Sequence, residues 1–420
     1  MRQKRYLCLL CGRKIEERDI ELHKKISHRN EKHYGIMWPL FREREVRRDL
    51  WKVPIYESPI FAKEIGVRKV YIRDEGQNFS GSMKDYIVER GVKLGLKEGF
   101  RIFSVVSSGN HAFSAAKYAK KYKVRAIVFT PASSSKISLL ACIRNALVVG
   151  VKNTIFEEVY LFANQIELEG VYNLNVSNEK LLVGFQPIAK EMINLDPFPT
   201  HVLSGVGNGS YLAGIALGLE KLEAPLPKIV PVGMKGAFPT ETAFAKRELL
   251  FEYKEFLIDE KLIDTAEGSI ATASYSMPQL MNAVYLTNGF PLGGLTNEDL
   301  RNAYLLLVKD KFLIEKGAIP EPTGIMGLAA ALKYRERFKS SDVLLVSFTG
   351  HAVKDLDGIR RLVPEISDLL ISKAKDSRGD LIVTENSASS GNVIIVEKNL
   401  SPEILKKRIL NWIEERRDER

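Results

Sequence analysis

The stretch that decides the interpretation of this chain is NFSGSMKD, residues 78–85. Its lysine, Lys84, stands at the predicted start of a helix, behind small and hydroxylic residues that include Ser82. Small residues let a flat molecule approach the backbone closely, and a lysine amine whose neutral form is accessible can attack a carbonyl carbon. Taken alone the stretch is weak evidence, because a surface lysine after a turn is the common case.

Strands and helices alternate on both sides of this stretch, between about residues 53 and 355. Apolar runs that indicate strands lie at residues 70–72, 102–106, 124–129, 202–203 and 343–348. The alternation predicts an α/β fold with parallel sheets that helices cover on both faces. Ligands on such sheets bind at the carboxyl ends of the strands, and the polar and glycine-rich segments of this chain follow predicted strands.

Three such segments stand out. The segments Ser107-Ser108-Gly109-Asn110-His111 and Gly205-Val206-Gly207-Asn208-Gly209-Ser210 each close a strand and open a helix, so their backbone N–H groups could bind a carboxylate and a phosphate, respectively. In Phe348-Thr349-Gly350-His351, the hydroxyl of Thr349 can face a ring nitrogen as an uncharged partner. For each segment alone the alternative is an ordinary helix cap or turn, and for residues 107–111 taken alone that alternative is favoured.

In this order, the four segments resemble the fold type II pyridoxal-phosphate enzymes, and the threonine synthase-like family in particular. Glu75-Gly76-Gln77-Asn78 through Asp85, Glu321-Pro322-Thr323-Gly324 and the Thr-Gly-His-x-x-Lys-Asp ending at residues 349–355 carry the resemblance. It covers about residues 53–357 and implies a two-lobed catalytic region. It also implies that Lys84 holds pyridoxal 5'-phosphate as a Schiff base and moves protons at the substrate's α carbon.

The resemblance implies roles for the other segments as well. Gly205, Val206, Gly207, Asn208, Gly209 and Ser210 would hold the cofactor phosphate, Asn110 its ring oxygen, and Thr349 its ring nitrogen. Ser82, Ser107, Ser108, Gly109, Asn110 and His111 would bind the amino-acid substrate. The implied activity is that of a lyase converting O-phospho-L-homoserine and water to L-threonine and phosphate.

Two departures from the family pattern keep other substrates open. Tyr86-Ile87 stands where the family has Arg-Gly. His111-Ala112 follows Gly109-Asn110, and the resulting Gly-Asn-His-Ala motif resembles that of the serine and threonine dehydratases. A dehydratase and a phosphoserine-dependent cysteine or cysteate synthase are therefore alternatives. A phosphorylated substrate needs cationic partners, for which the sequence offers Lys136 and Arg144.

Residues 1–50 predict a separate zinc-finger-like module. Cys8, Cys11, His23 and His28 give the spacing Cys-x2-Cys-x11-His-x4-His. Two thiolates and two imidazoles suit a tetrahedral structural Zn²⁺, although a reduced, metal-free Cys-x-x-Cys is the alternative. The module carries 14 Lys/Arg against 8 Asp/Glu within a chain of net charge +10, so a nucleic-acid-binding protein with a degenerate enzyme core is the hypothesis from another class.

The remaining expectations concern organisation and location. We expect a catalytic region at residues 51–372, whose smaller lobe spans about 88–195, and a C-terminal hairpin and helix at 373–420. No apolar run reaches the roughly 18 residues of a membrane span, and three cysteines argue against a disulfide framework. These features favour a cytoplasmic protein without a membrane span. We further expect a homodimer that acts on a small, phosphorylated amino acid and has no nucleic-acid partner.

Overall fold

Two parallel β-sheets organise the part of the chain that the computed structural model describes. The described residues are 5–8, 14–19, 37–40, 53–107, 109–134, 137, 140, 143, 145–166, 168–176, 178–249, 266–270, 274, 276–382 and 392–416. The strands are β1 Arg5–Cys8, β2 Lys14–Glu16, β3 Met37–Leu40, β4 Ile55–Glu57, β5 Lys69–Asp74, β6 Ile102–Val106, β7 Arg125–Pro131, β8 Ala146–Lys152, β9 Val171–Asn173, β10 His201–Gly205, β11 Lys228–Met234, β12 Leu292–Leu295, β13 Val343–Phe348 and β14 Val393–Glu397.

Helices cover the sheets and connect most of the strands. They are α1 Pro59–Ile65, α2 Asp85–Lys97, α3 Asn110–Lys121, α4 Phe156–Asn164, α5 Glu179–Leu182, α6 Pro187–Met192, α7 Ser210–Lys221, α8 Pro239–Lys246, α9 Met277–Leu286, α10 Asn297–Leu307, α11 Lys311–Glu315, α12 Pro322–Lys333, α13 Leu356–Leu362, α14 Ser367–Arg378 and α15 Pro402–Glu415.

The larger sheet has the strand order β12-β11-β10-β13-β5-β4, and only β4 runs antiparallel to its neighbour. All six residues of β13 are buried, as expected for a strand that helices cover on both faces. β13 pairs with β5 in a register that sets Phe348 beside Asp74. The loops that follow these two strands therefore leave the sheet side by side, although their residues are far apart in sequence.

The smaller sheet has the order β14-β8-β7-β6-β9 and is parallel throughout. The hairpin expected between residues 380–384 and 392–397 is not what the described residues form. Residues Gly379–Leu381 make a 3₁₀ turn, and β14 pairs in parallel with β8 instead. Local turn signals suggested the hairpin, whereas an apolar edge of the smaller sheet offered β14 a better partner.

Near the N-terminus, β1 pairs antiparallel with β2 and with β3, with Tyr6 opposite Ile15. Cys8 ends β1, and the other predicted zinc ligands lie outside the described residues. Within the ranges given above, no helix is both long and apolar enough to cross a membrane.

Helix α15 completes the smaller sheet by packing its apolar face against it. Trp412 is buried with Val396, Leu405 and Ile409, and its indole N–H donates to Asn392 Oδ1 at 3.3 Å.

We expect Trp412→Ala to lower the free energy of unfolding by about 3 kcal/mol through lost packing. Urea denaturation followed by circular dichroism measures this loss. The matched control is Leu410→Ala, because Leu410 lies on the same helix and is 43 % exposed. Equal losses of unfolding free energy in both variants would contradict this packing role.

Candidate active site

A cavity of about 280 Å³ lies where the carboxyl ends of strands from both sheets face each other. Its wall includes Lys84, Ser107 with residues 109–111, the whole Gly205–Ser210 loop, and Thr349. The four segments singled out in the sequence thus meet in one place. Among the described residues, Ser82 is buried but does not line the cavity, and Ser108 lies outside the described residues.

Lys84 occupies the position just before the first turn of α2. The accessible part of its side chain faces the cavity. Because the surrounding protein disfavours the charged ammonium, burial lowers the pKa of Lys84 to about 8. A much larger fraction of this amine is therefore neutral near physiological pH than in an ordinary lysine.

The residue after the lysine fixes the loop that carries it. Asp85 accepts hydrogen bonds from the backbone N–H of Ser80 at 2.7 Å and from the hydroxyl of Ser114 at 2.6 Å. Burial raises the pKa of this carboxyl, and the hydrogen bonds from Ser114 and Ser80 oppose the rise. These bonds join the lysine loop to α3, the helix whose first turn lines the same cavity.

The loop after β13 is joined directly to the lysine loop. The Met83 N–H donates to Thr349 O at 3.0 Å, and the His351 N–H donates to Gly81 O at 3.0 Å. Thr349 is buried and lines the cavity. The predicted lysine and the predicted hydroxyl are thus held by backbone hydrogen bonds between their own loops.

The glycine-rich loop lies at the start of α7, a helix of 12 residues. Gly209 has φ +80°, and a Cβ there would lie 2.7 Å from Leu280 Cδ2. Any other residue would therefore have both an unfavourable backbone conformation and a steric clash. Backbone N–H groups at the start of a helix favour an anion. This loop is suited to a phosphate that approaches the backbone closely.

Asn110, which is half-buried, and the buried Glu321 form a polar pair in the cavity wall. The Asn110 amide donates to Glu321 Oε1, and the Glu321 N–H donates to Gly350 O at 2.9 Å. A Cβ on Gly350 would lie 2.3 Å from Glu321 Oε1, so only glycine leaves room for the pair. In the sequence, Glu321 belongs to the Glu321-Pro322-Thr323-Gly324 motif, but no role was predicted for it. Nothing in the residues around Glu321 or Asn110 indicates that the two side chains are in contact.

His111 presents an uncharged imidazole to the cavity. Burial, followed by the nearby charge of Lys84, lowers its pKa to about 3. The side chain is buried, and its Nε2 has no hydrogen-bond partner within the described part of the chain. The imidazole beside the cavity is therefore uncharged.

The smaller lobe provides a wall that the sequence did not predict. Ser133, Thr154, Tyr160 and Asn175 line the cavity there. Three of them follow strands of the smaller sheet and Tyr160 lies in α4, but isolated hydroxyl and amide residues carry no recognisable spacing.

The sequence model of one family, described as "Pyridoxal-phosphate dependent enzyme", matches residues 46–350. The chain belongs to this family. Its relatives include the threonine synthase of Methanocaldococcus jannaschii, which is 27% identical over 74% of this chain and 77% of its own length. The chloroplastic biosynthetic threonine dehydratase of Arabidopsis thaliana is 24% identical over 74% of this chain and 51% of its own length. The chain is thus a pyridoxal-phosphate-dependent lyase of the group to which these enzymes belong.

Solved structures show the same fold type II architecture. Threonine deaminase isoform 2 from Solanum lycopersicum superposes with a TM-score of 0.60 at 18% identity, covering 74% of this chain and 87% of that one. A pyridoxal 5'-phosphate-dependent aspartate racemase gives a TM-score of 0.59 at 18% identity, covering 71% and 89%. At this identity the likeness establishes the fold alone.

The residues in the cavity fit pyridoxal phosphate. A lysine with a lowered pKa, a helix start with close backbone access, an amide donor at Asn110 and a buried hydroxyl at Thr349 match an aldehyde, a phosphate, a ring oxygen and a ring nitrogen, respectively. The Asn110 amide has a second N–H beside the one given to Glu321, so it can serve both groups.

Covalent attachment of the cofactor tests the role of Lys84. We expect the purified protein to be yellow, borohydride to fix the cofactor on Lys84, and Lys84→Ala to be colourless and inactive. In cofactor-free protein, attachment should accelerate as the pH rises through about 8, because the neutral amine is the reactive form. Peptide mapping and absorbance measure both effects. Lys93→Ala, on the same helix in an ion pair with Glu89, should behave as wild type, and label on another lysine would contradict the assignment.

Proposed function

We propose that the enzyme is threonine synthase-like and converts O-phospho-L-homoserine and water to L-threonine and phosphate. The observation that carries the proposal is the cavity itself. Besides Lys84 and Asn110, the hydroxyl-bearing residues Thr154 and Tyr160 line it. Such hydroxyls could donate hydrogen bonds to the phosphate of a γ-phosphorylated substrate. Relatives named threonine synthase, matched over about three quarters of the chain, support the same reaction.

Each part of the site would have a separate role in this reaction. Bound pyridoxal phosphate supplies an electron sink for the α carbon. Lys84, with its pKa near 8, takes and returns protons at neighbouring carbons of the substrate. The N-terminal end of α3, with Ser107 and residues 109–111, would bind the substrate carboxylate, and the Gly205–Ser210 loop would bind the cofactor phosphate.

Thr349 would face the ring nitrogen with a hydroxyl rather than a carboxylate. An uncharged partner leaves that nitrogen largely unprotonated, which weakens the electron sink and favours elimination over transamination. Because the backbone of Thr349 is bonded to Met83, the hydroxyl and the lysine keep a constant separation.

A second candidate is a serine or threonine dehydratase. Among the described residues that line the cavity, Lys84 is the one lysine and arginine is absent, whereas a substrate phosphate needs cations. The neutral His111 would suit a smaller, uncharged side chain. The cations proposed for the phosphate, Lys136 and Arg144, lie outside the described residues, 3 and 11 positions after the lining residue Ser133 in the sequence.

Product analysis separates the two candidates. We expect phosphate release from O-phosphohomoserine to be much faster than ammonia release from serine or threonine. Lys136→Ala and Arg144→Ala should raise KM for O-phosphohomoserine without changing cofactor affinity. Ammonia from threonine with O-phosphohomoserine inert would establish the dehydratase, and activity on phosphoserine with a sulfur nucleophile would establish the cysteine- or cysteate-forming alternative.

We also propose a structural zinc site in residues 1–50. Its support is the antiparallel pairing of β1 and β2, which joins the strand that ends at Cys8 to the one that begins at Lys14. The described residues contain no group of three or more potential metal ligands, so the site stays a prediction. The nucleic-acid hypothesis has less support, since Lys84, Asn110, Gly207 and Thr349 line one cavity.

Metal analysis tests the zinc site directly. We expect one tightly bound zinc per chain in protein purified without chelators, because four protein ligands close the coordination shell. Cys8→Ser should release the metal, whereas Cys142→Ser, at the third cysteine of the chain, should retain it. Protein that contains no zinc would overturn this prediction.

A further inference from the structure

The C-terminal end of helix α14 contacts the loop that leads to Lys84 and the loop that carries Thr349. The Arg378 guanidinium donates from Nη1 to Gly76 O at 2.6 Å and to Asn78 O at 2.9 Å, and from Nη2 to Phe79 O at 3.4 Å. Its side chain is only 10% exposed. One side chain thus binds three carbonyls of the loop that leads to Lys84.

The neighbouring residue contacts the loop that follows β13. Ser377 Oγ lies 3.2 Å from His351 Nε2, and the same nitrogen lies 3.1 Å from Gly317 O. Because His351 Nδ1 accepts from the Val353 N–H at 3.2 Å, the imidazole proton is on Nε2. Burial lowers the pKa of His351 to about 4, so this link is uncharged.

Apolar packing also joins the segment after α14 to the lysine loop. Leu381, just after the helix, is buried, and its Cδ1 lies 2.5 Å from where a Cβ on Gly81 would be. Gly81 has φ +77° and belongs to the lysine loop. The end of α14 therefore covers that loop from one side over most of its length.

We propose that Arg378 is a positioning residue for Lys84, acting through the carbonyls of residues 76–79. These carbonyls lie between β5 and α2, outside the sheet ladders, and a buried carbonyl without a donor is costly. Asn78 O also accepts from the Gly81 N–H at 2.9 Å, so the loss of the guanidinium would fall mainly on Gly76 O and Phe79 O. A planar guanidinium can bind several acceptors at once, whereas a lysine ammonium cannot match that geometry. Asp380, which accepts from Arg378 Nε at 2.9 Å, orients the guanidinium. Arg378 lies beyond residue 350, where the family match ends.

Removing the guanidinium should loosen the lysine loop before substrate is involved. In cofactor-free protein, we expect Arg378→Met to accelerate amide hydrogen exchange at residues 76–83. It should weaken pyridoxal phosphate affinity about 10- to 100-fold, as loss of one or two charge-assisted hydrogen bonds implies. The pH at which the cofactor attaches should also rise above about 8, because water would reach Lys84. Arg378→Lys should show the same effects in part.

Lys375→Met, at an exposed position on the same helix, is the matched control and should match wild type. Arg378→Lys keeps the test valid if Arg378→Met does not fold. Two results would overturn the proposal. One is that both Arg378 variants stay within about twofold of Lys375→Met in loop exchange and cofactor affinity. The other is that exchange rises equally in both sheets, which would make Arg378 a residue of global stability. None of these measurements depends on which amino acid the enzyme converts.

Discussion

The parallel pairing of β5 with β13 is the constraint on which the site depends. It brings together loops that are separated by more than 260 positions in the chain, from Lys84 to Thr349. Backbone hydrogen bonds then join the loops directly. Lys84 and Thr349 are therefore positioned by sheet register, and a slip of one residue in either strand would separate them.

Beneath these loops a buried polar network fixes the end of β5. Glu75 accepts from Arg73 Nε at 2.6 Å and from the Tyr211 hydroxyl at 2.8 Å, and Tyr211 also contacts Ser347 Oγ at 3.1 Å. Removing one partner of such a network leaves an uncompensated buried charge. Since Tyr211 lies in the first turn of α7, the network also connects the glycine-rich loop to the lysine loop.

The sequence predicted the elements that local pattern determines. Residues 102–106 and 343–348 are strands as predicted, because apolar runs bounded by polar residues suit a sheet covered on both faces. Lys84 immediately precedes its helix, one residue from the predicted start. Contacts between distant residues escaped prediction: the pairing of Asn110 with Glu321, the binding of Arg378 to loop carbonyls, and the parallel position of β14. Each depends on chain topology, which leaves no mark in neighbouring residues.

The position of β14 has a consequence for how the chain folds. β14 pairs Val393 with Val148, so the edge of the smaller sheet is completed by residues synthesised about 245 positions after their partner. Until that segment has left the ribosome, β8 keeps an exposed edge and the apolar surface that Trp412 covers stays open to solvent. Contacts of such sequence separation form slowly and expose partly folded chains to aggregation. The smaller lobe, although early in the chain, therefore cannot complete its sheet until nearly the whole chain has been synthesised.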